Sequence, residues 1–339
     1  MGRVHLLATG GTIASRHGPD GLAALTRGAE LLTAAGPPPG LTVTTSDLGT
    51  VGSFAFTTSD LRGLVLEARR CLAQGVDGVV VTQGTDTMEE SAYLADLLHD
   101  DPRPIVFTGA QRPFDAPAPD GPANLADALR VAASPAARDL GALLCFDGVV
   151  FAARGVRKID TLRSGAFGAP GRGPVIRLAG DSVLPVARPP RPAPLPLDLR
   201  AELPRVDVVA CYLGADAALL HAAVAAGAAG LVIEAFGAGN VPPAIAEAAE
   251  ELVESGVPVL VCSRVTSGPV VPLYAAGGAR LARGGAVFAG DLSPWQGRLL
   301  LAAALALAPE DAQRVVARYL ADDPTAPARG DRPEGARPR

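Results

Sequence analysis

Short apolar runs alternate with longer segments of helical periodicity through most of this chain. Val4–Ala8, Val76–Val81, Ile105–Thr108, Val206–Tyr212, Leu231–Ala235 and Val257–Cys262 are brief and β-branched, the pattern of strands buried in a parallel sheet. Asp60–Gln74, Met88–Leu98, Asn124–Ala133, Ala215–Ala226 and Pro243–Glu254 lie between them and predict helices. Strand and helix in alternation predict a doubly wound α/β protein. One interruption stands out. Leu143–Phe146, then Asp147-Gly148, then Val149–Phe151 predicts a β-hairpin closed by a type I′ turn.

The chain has 339 residues, long for one core and comfortable for two. Arg188–Leu199 holds five prolines in twelve positions and continues neither a helix nor a strand. It predicts a linker over 188–204, between an N-terminal domain (1–187) and a smaller parallel α/β domain (205–323). The last stretch, 324–339, predicts a disordered tail.

Composition narrows the function. A net charge of −5 argues against a nucleic-acid partner. No apolar stretch is long enough to span a bilayer, and Met1-Gly2-Arg3 runs straight into a strand. No signal peptide is therefore expected, and the predicted location is the cytoplasm. Cys71, Cys145, Cys211 and Cys262 are scattered without metal-ligand spacing, so they read as small buried hydrophobes, with no metal and no cofactor expected.

The candidate chemistry sits in two turns where strands run out, the place where open α/β sheets bind ligands. Thr9-Gly10-Gly11-Thr12 follows the first strand, and Gln83-Gly84-Thr85-Asp86-Thr87 follows the second. Each presents a threonine hydroxyl beside glycine-freed backbone, which suits a nucleophile better than a phosphate cradle. Gly11 and its neighbours offer N–H groups to an oxyanion, although an ordinary strand-to-helix turn fits the same residues. The G-x-G-x-x-G spacing of dinucleotide sites is absent. After Thr12, Ser15–Gly21 reads as a polar lid loop. Thr87-Met88-Glu89-Glu90 has the form of a capping box, which leaves Thr85 and Asp86 projecting from the loop. Asp86 then binds a substrate ammonium, orients Thr85, or supports the helix dipole. Lys158 lies in a charged segment after the hairpin. As a base it needs its pKa lowered from about 10.4 to about 7–8; otherwise it works as a charged polariser of Thr85.

At these residues the chain resembles the bacterial-type L-asparaginase family. The likeness is carried by ATGGTIAS at 8–15, TQGTDTMEESAYLADLL at 82–98, IVFTGAQRP at 105–113 and RGVRKIDTLRSGAFGAPGRGPV at 154–175. GAGN at 237–240, CSRVTSG at 262–268 and GDLSPWQGRLLL at 290–301 extend it through the second domain. The resemblance implies hydrolysis of L-asparagine to aspartate and ammonia through an acyl-enzyme on Thr12. It casts Thr85, Asp86 and Lys158 as the second catalytic cluster, with Asp86 holding the substrate amino group. Ser53 matches the contact to the α-carboxylate, and Ala110 the strand-end segment beside the scissile amide. It also implies a homodimer or homotetramer, with each site completed by a second subunit.

Three positions depart from the family pattern. Gly21–Leu25 holds no lid tyrosine, Phe54 stands where a glutamine usually follows the substrate-binding serine, and no Asp or Glu occurs between Gly268 and Gly290. Ser15, His17 and Tyr274 are the candidates to compensate. The departures keep two alternatives open, a glutaminase or other amide hydrolase, and an amino-acid sensor without turnover.

Overall fold

The computed structural model describes residues 2–322; the tail predicted at 324–339 lies outside them. The strands are β1 (Gly2–Ala8), β2 (Ser15–Gly18), β3 (Gly21–Ala24), β4 (Leu41–Asp47), β5 (Gly78–Thr82), β6 (Ile105–Thr108), β7 (Ala142–Phe146) and β8 (Val149–Ala152). They continue with β9 (Arg157–Lys158), β10 (Phe167–Gly168), β11 (Ile176–Ala179), β12 (Ser182–Pro185), β13 (Val206–Ala210), β14 (Gly230–Ala235), β15 (Val259–Ser263) and β16 (Val287–Phe288). The helices are α1 (Gly28–Ala35), α2 (Thr58–Ala73), α3 (Met88–Leu98), α4 (Gly121–Ala133), α5 (Ala218–Ala225), α6 (Pro243–Glu254), α7 (Gly278–Arg283), α8 (Pro294–Leu307) and α9 (Ala312–Ala321).

The large sheet runs β12-β11-β8-β7-β6-β5-β1-β4. From β4 to β7 neighbours are parallel, and β8, β11 and β12 turn antiparallel. A second sheet, β13-β14-β15-β16, is parallel throughout. This is the expected α/β architecture. The hairpin turn is also as expected, since Asp147 and Gly148 both take positive φ, 51° and 72°, as a type I′ turn requires.

Alternation along the central strands explains the layering. Leu7, Val79, Val81, Phe107 and Leu144 enter a core with α2 and α3. Val4, Leu6, Val80, Val106 and Leu143 face the opposite way, toward Leu125 and Leu129 of α4. Each buried side chain of this kind contributes about 1.5–3 kcal/mol. The first core continues into Leu299, Leu300 and Val316 of α8 and α9, so one apolar interior joins both sheets.

The proline-rich stretch carries no helix or strand from 186 to 205, yet it is packed. Leu195, Leu197 and Leu199 are buried in the shared core, and Arg191 pairs with buried Asp96 at 2.8 Å. Among the described residues no helix is long and apolar enough to cross a membrane. All four cysteines are buried, as anticipated.

Two local readings need correction. The lid loop is a β-hairpin, with Ser15 opposite Ala24 and His17 opposite Leu22. The capping box at 87–90 does not form: the Thr87 hydroxyl donates to the Ser53 carbonyl at 3.0 Å instead. A capping box forms at Thr57 and Asp60, where each side chain meets the other's main-chain N–H at 3.2 and 2.9 Å.

Candidate active site

The site is built where β1, β4, β5 and β6 end side by side. Ala8 pairs with Thr82 across β1 and β5. One step on, the Thr9 N–H and hydroxyl both donate to the Thr82 carbonyl, at 3.0 and 2.9 Å. The two turns then touch. A Cβ on Gly11 would lie 2.2 Å from the Gly84 nitrogen, and Gly11 has φ +82°. Only glycine permits that backbone conformation at that approach. A Cβ on Gly84 would in turn meet the Ser53 Oγ at 2.7 Å. Three loops therefore stack, and Thr12 and Thr85 each follow a point of glycine contact.

The second turn carries a dense polar cluster. The Lys158 Nζ donates to the Thr85 Oγ1 at 2.8 Å and to the Asp86 Oδ1 at 2.7 Å. It arrives from β9, so residues 73 and 72 positions apart meet. The Asp86 N–H donates to the Ser53 Oγ at 3.1 Å. The Thr85 hydroxyl makes a long contact, 3.4 Å, with the Gln111 amide oxygen. Lys158 is largely covered, while the Asp86 carboxylate is more than half exposed.

The first turn is sparser. The Gly11 carbonyl accepts from the Ala14 N–H at 3.0 Å and the Ser15 hydroxyl at 2.9 Å. The Thr12 hydroxyl forms no hydrogen bond among the described residues, and Thr12 is half-buried. Ser53 is buried against the second turn, whereas Ala110 is fully enclosed within the core that contains Ile13 and Leu125. His17 is paired with Asp115: its ring and N–H meet that carboxylate, each at 2.9 Å. Tyr274 is exposed.

Sequence reasoning passed over Glu89, Gln111, Asp120 and Asn124. Asp120 accepts from the Gln111 and Arg112 N–H groups at 2.9 and 2.8 Å. Asn124 ties the Gly109 carbonyl to the Asp147 N–H, at 3.0 Å each. Glu89 accepts the main-chain N–H of Lys158, and burial pushes its carboxyl up to about 7. The only available signal for it was an acidic residue in the first turn of α3. A cavity of about 1220 Å3 opens elsewhere, lined by Arg172, Val270, Phe288 and Leu320, and none of the candidate catalytic residues borders it. Its charged groups already tie the fold together, as in Arg172 with Asp291 and Arg191 with Asp96.

The N-terminal asparaginase model matches residues 3–190, and the glutaminase/asparaginase C-terminal model matches 205–317. The chain belongs to the asparaginase family. A probable L-asparaginase of Deinococcus radiodurans is 39% identical over 327 residues, covering 92% of this chain and 96% of that protein. An L-asparaginase of Bacillus licheniformis is 33% identical, covering 90% and 95%. The crystal structure of a probable cytoplasmic L-asparaginase from Campylobacter jejuni superimposes with a TM-score of 0.83 at 28% identity, covering 94% and 99%. This asparaginase-family chain is thus a hydrolase of amides. Its fold agrees with the resemblance carried by the sequence blocks.

Proposed function

We propose that the protein hydrolyses L-asparagine to L-aspartate and ammonia through a covalent acyl-enzyme on Thr12. The observation that carries this reading is the Lys158 Nζ held on both Thr85 and Asp86, directly behind the glycine contact that brings in the Thr12 turn. The Thr12 Oγ bonds the side-chain amide carbon and its proton passes to the leaving nitrogen. The C–N bond then breaks and ammonia departs. Water positioned by Thr85 attacks the resulting ester, forming aspartate and returning the proton to Thr12. Splitting amide hydrolysis in this way replaces one high barrier by two lower ones.

Lys158 polarises the Thr85 hydroxyl, and Asp86 offers its exposed oxygen to the substrate ammonium. Ser53 takes the α-carboxylate, Ala110 backs the scissile amide, and Gly11 supplies an N–H to the oxyanion. That N–H has no acceptor among the described residues. The test is ammonia release from asparagine by wild type and Thr12→Ala. Loss of the nucleophile should lower kcat by at least about 10³-fold; equal rates overturn the mechanism.

A second reading changes the amide. Phe54 is 80% exposed, and Leu25, at the end of the hairpin, is 65% exposed. Recognition groups are therefore apolar where the family pattern has polar ones, which favours a different amide such as glutamine or a D-amide. A kcat/KM panel decides, and a wide margin for asparagine removes this alternative. We further propose a homodimer or homotetramer, supported by exposed Leu162, Leu213, Leu273 and Tyr274. Light scattering that returns a monomer under assay conditions would end that proposal.

A further inference from the structure

Lys158 belongs to a two-residue strand whose ladder partner among the described residues is another two-residue strand, β10. So little sheet does not by itself fix a side chain to tenths of an ångström. The Lys158 main-chain N–H points the other way, onto the carboxylate of Glu89. Glu89 sits in the first turn of α3, whose Leu94, Leu97 and Leu98 are completely buried. One helix thus controls three parts of the cluster. The loop leading into it presents Thr85 and Asp86, and its second residue holds the backbone from which Lys158 reaches them.

We propose that Glu89 is a positioning residue for Lys158: its carboxylate anchors the lysine's main chain to α3, and so seats the ammonium on Thr85 and Asp86. The inference rests on the amidohydrolase reading of the site and adds a residue that does not touch substrate. A buried carboxylate 6% exposed is a costly anchor unless it is paired. Here the pairing comes from the Lys158 N–H, and from the positive charges of Lys158 and Arg157 on β9. Glu90 on the same helix opposes them, and is itself matched by Arg298 of α8 at 3.0 Å. Burial remains the largest influence and lifts the Glu89 carboxyl to about 7. Above that pH a full carboxylate grips the N–H; below it a neutral acid grips more weakly.

The test compares wild type with Glu89→Gln, which keeps an acceptor of the same shape, and with Glu89→Ala, which keeps none. Misplacing a reacting group by about 1 Å costs on the order of 10²-fold, so the alanine variant should lose about that much in kcat with little change in KM. The glutamine variant should recover most of the loss and lack the acid limb near pH 7 in its kcat profile. A readout independent of turnover is acetylation of Lys158 by acetic anhydride at pH 8, followed by mass spectrometry. The alanine variant should label several-fold faster than wild type, because the lysine is released from its seat, while the glutamine variant should label close to the wild-type rate. Unchanged labelling in Glu89→Ala overturns the proposal whatever the ammonia assay returns, and so does a Glu89→Gln kcat profile identical to wild type. If wild type releases ammonia from no amide while Lys158 labelling still responds, the functional reading fails and the positioning role stands.

Discussion

The two threonine turns look alike in sequence and are held in opposite ways. After β1, Thr12 is positioned through its main chain and not its hydroxyl: a glycine contact, and two donors on the Gly11 carbonyl, the Ala14 N–H and the Ser15 hydroxyl. After β5, Thr85 is fixed through its side chain by Lys158, and the adjoining Asp86 and Thr87 are both tied to Ser53. The difference matches two chemical tasks. In the proposed mechanism the attacking oxygen keeps its lone pairs for the bond that it will form, and the Thr12 hydroxyl has no hydrogen-bond partner among the described residues. A group that steers charge or water works by being immobile, so its hydroxyl is anchored to a cation. Under that proposal, geometry supplies reactivity in the first turn, and electrostatics in the second.

The strongest way to break the contrast is to push the turns apart. In Gly11→Ala the new methyl meets main-chain atoms of Gly84, which cannot swing aside, and the residue must hold φ +82°. Overpacking and strain together should cost about 3 kcal/mol or more and abolish most activity. Gly148→Ala is the control. It has φ +72° with open space around it, so only the backbone strain of about 1 kcal/mol applies. Urea unfolding of both proteins measures the difference. Equal losses would show that the close approach of the turns contributes nothing.

The second turn should carry a pH signature that the first lacks. In the folded protein the Glu89 carboxyl titrates near 7, raised from 4.5 chiefly by burial. Between these values the folded state holds a proton that the unfolded chain has released. Stability therefore falls as pH rises from about 4.5 to 7 and is level above it, by an amount on the order of 3 kcal/mol. The difference in unfolding free energy between wild type and Glu89→Gln, followed from pH 5 to 8, should trace this fall. A difference that is flat with pH contradicts the buried carboxylate.

What could be read from sequence follows the range of the forces. The central strands declare themselves because both faces are buried, and Asp147-Gly148 declares a hairpin because few other residues accept two positive φ angles. Helix α6 begins and ends where its periodicity does. The β2–β3 hairpin is hidden because its residues are mostly exposed and no apolar alternation marks it. Helix α8 is buried nearly all round, so no polar stripe reveals its period. Site residues divide the same way. Thr12, Thr85 and Lys158 were proposed from family blocks. Glu89 was not, because its partner lies 69 positions away. Thr87 was misread because Ser53, 34 positions away, competes for its hydroxyl.

Replacing each threonine by valine sharpens the comparison at a smaller scale. Thr12→Val removes no hydrogen bond within the described residues, so stability should change by no more than about 0.5 kcal/mol while turnover disappears. Thr85→Val takes away the acceptor of a charge-assisted bond and should cost about 1.5 kcal/mol as well as activity. Urea midpoints with matched m-values separate the two outcomes. A stability loss of the same size at Thr12 would reveal a partner for its hydroxyl.

The smallest effect concerns Ser15, three residues after Thr12 and a candidate to replace the lid tyrosine. Its proton is directed to the Gly11 carbonyl at 2.9 Å, in a buried position. A hydroxyl committed to a carbonyl is a poor proton acceptor for Thr12, and its evident task is to close the turn. Ser15→Ala should therefore lower stability by about 1 kcal/mol and leave kcat within about threefold. The Gly11 carbonyl keeps the Ala14 N–H in that variant, so the turn survives with one tie fewer. A loss of kcat comparable to that of Thr12→Ala would make Ser15 part of the proton path. The Thr12 hydroxyl would then rely on a side-chain partner after all, and the contrast with the second turn would shrink to a difference of degree.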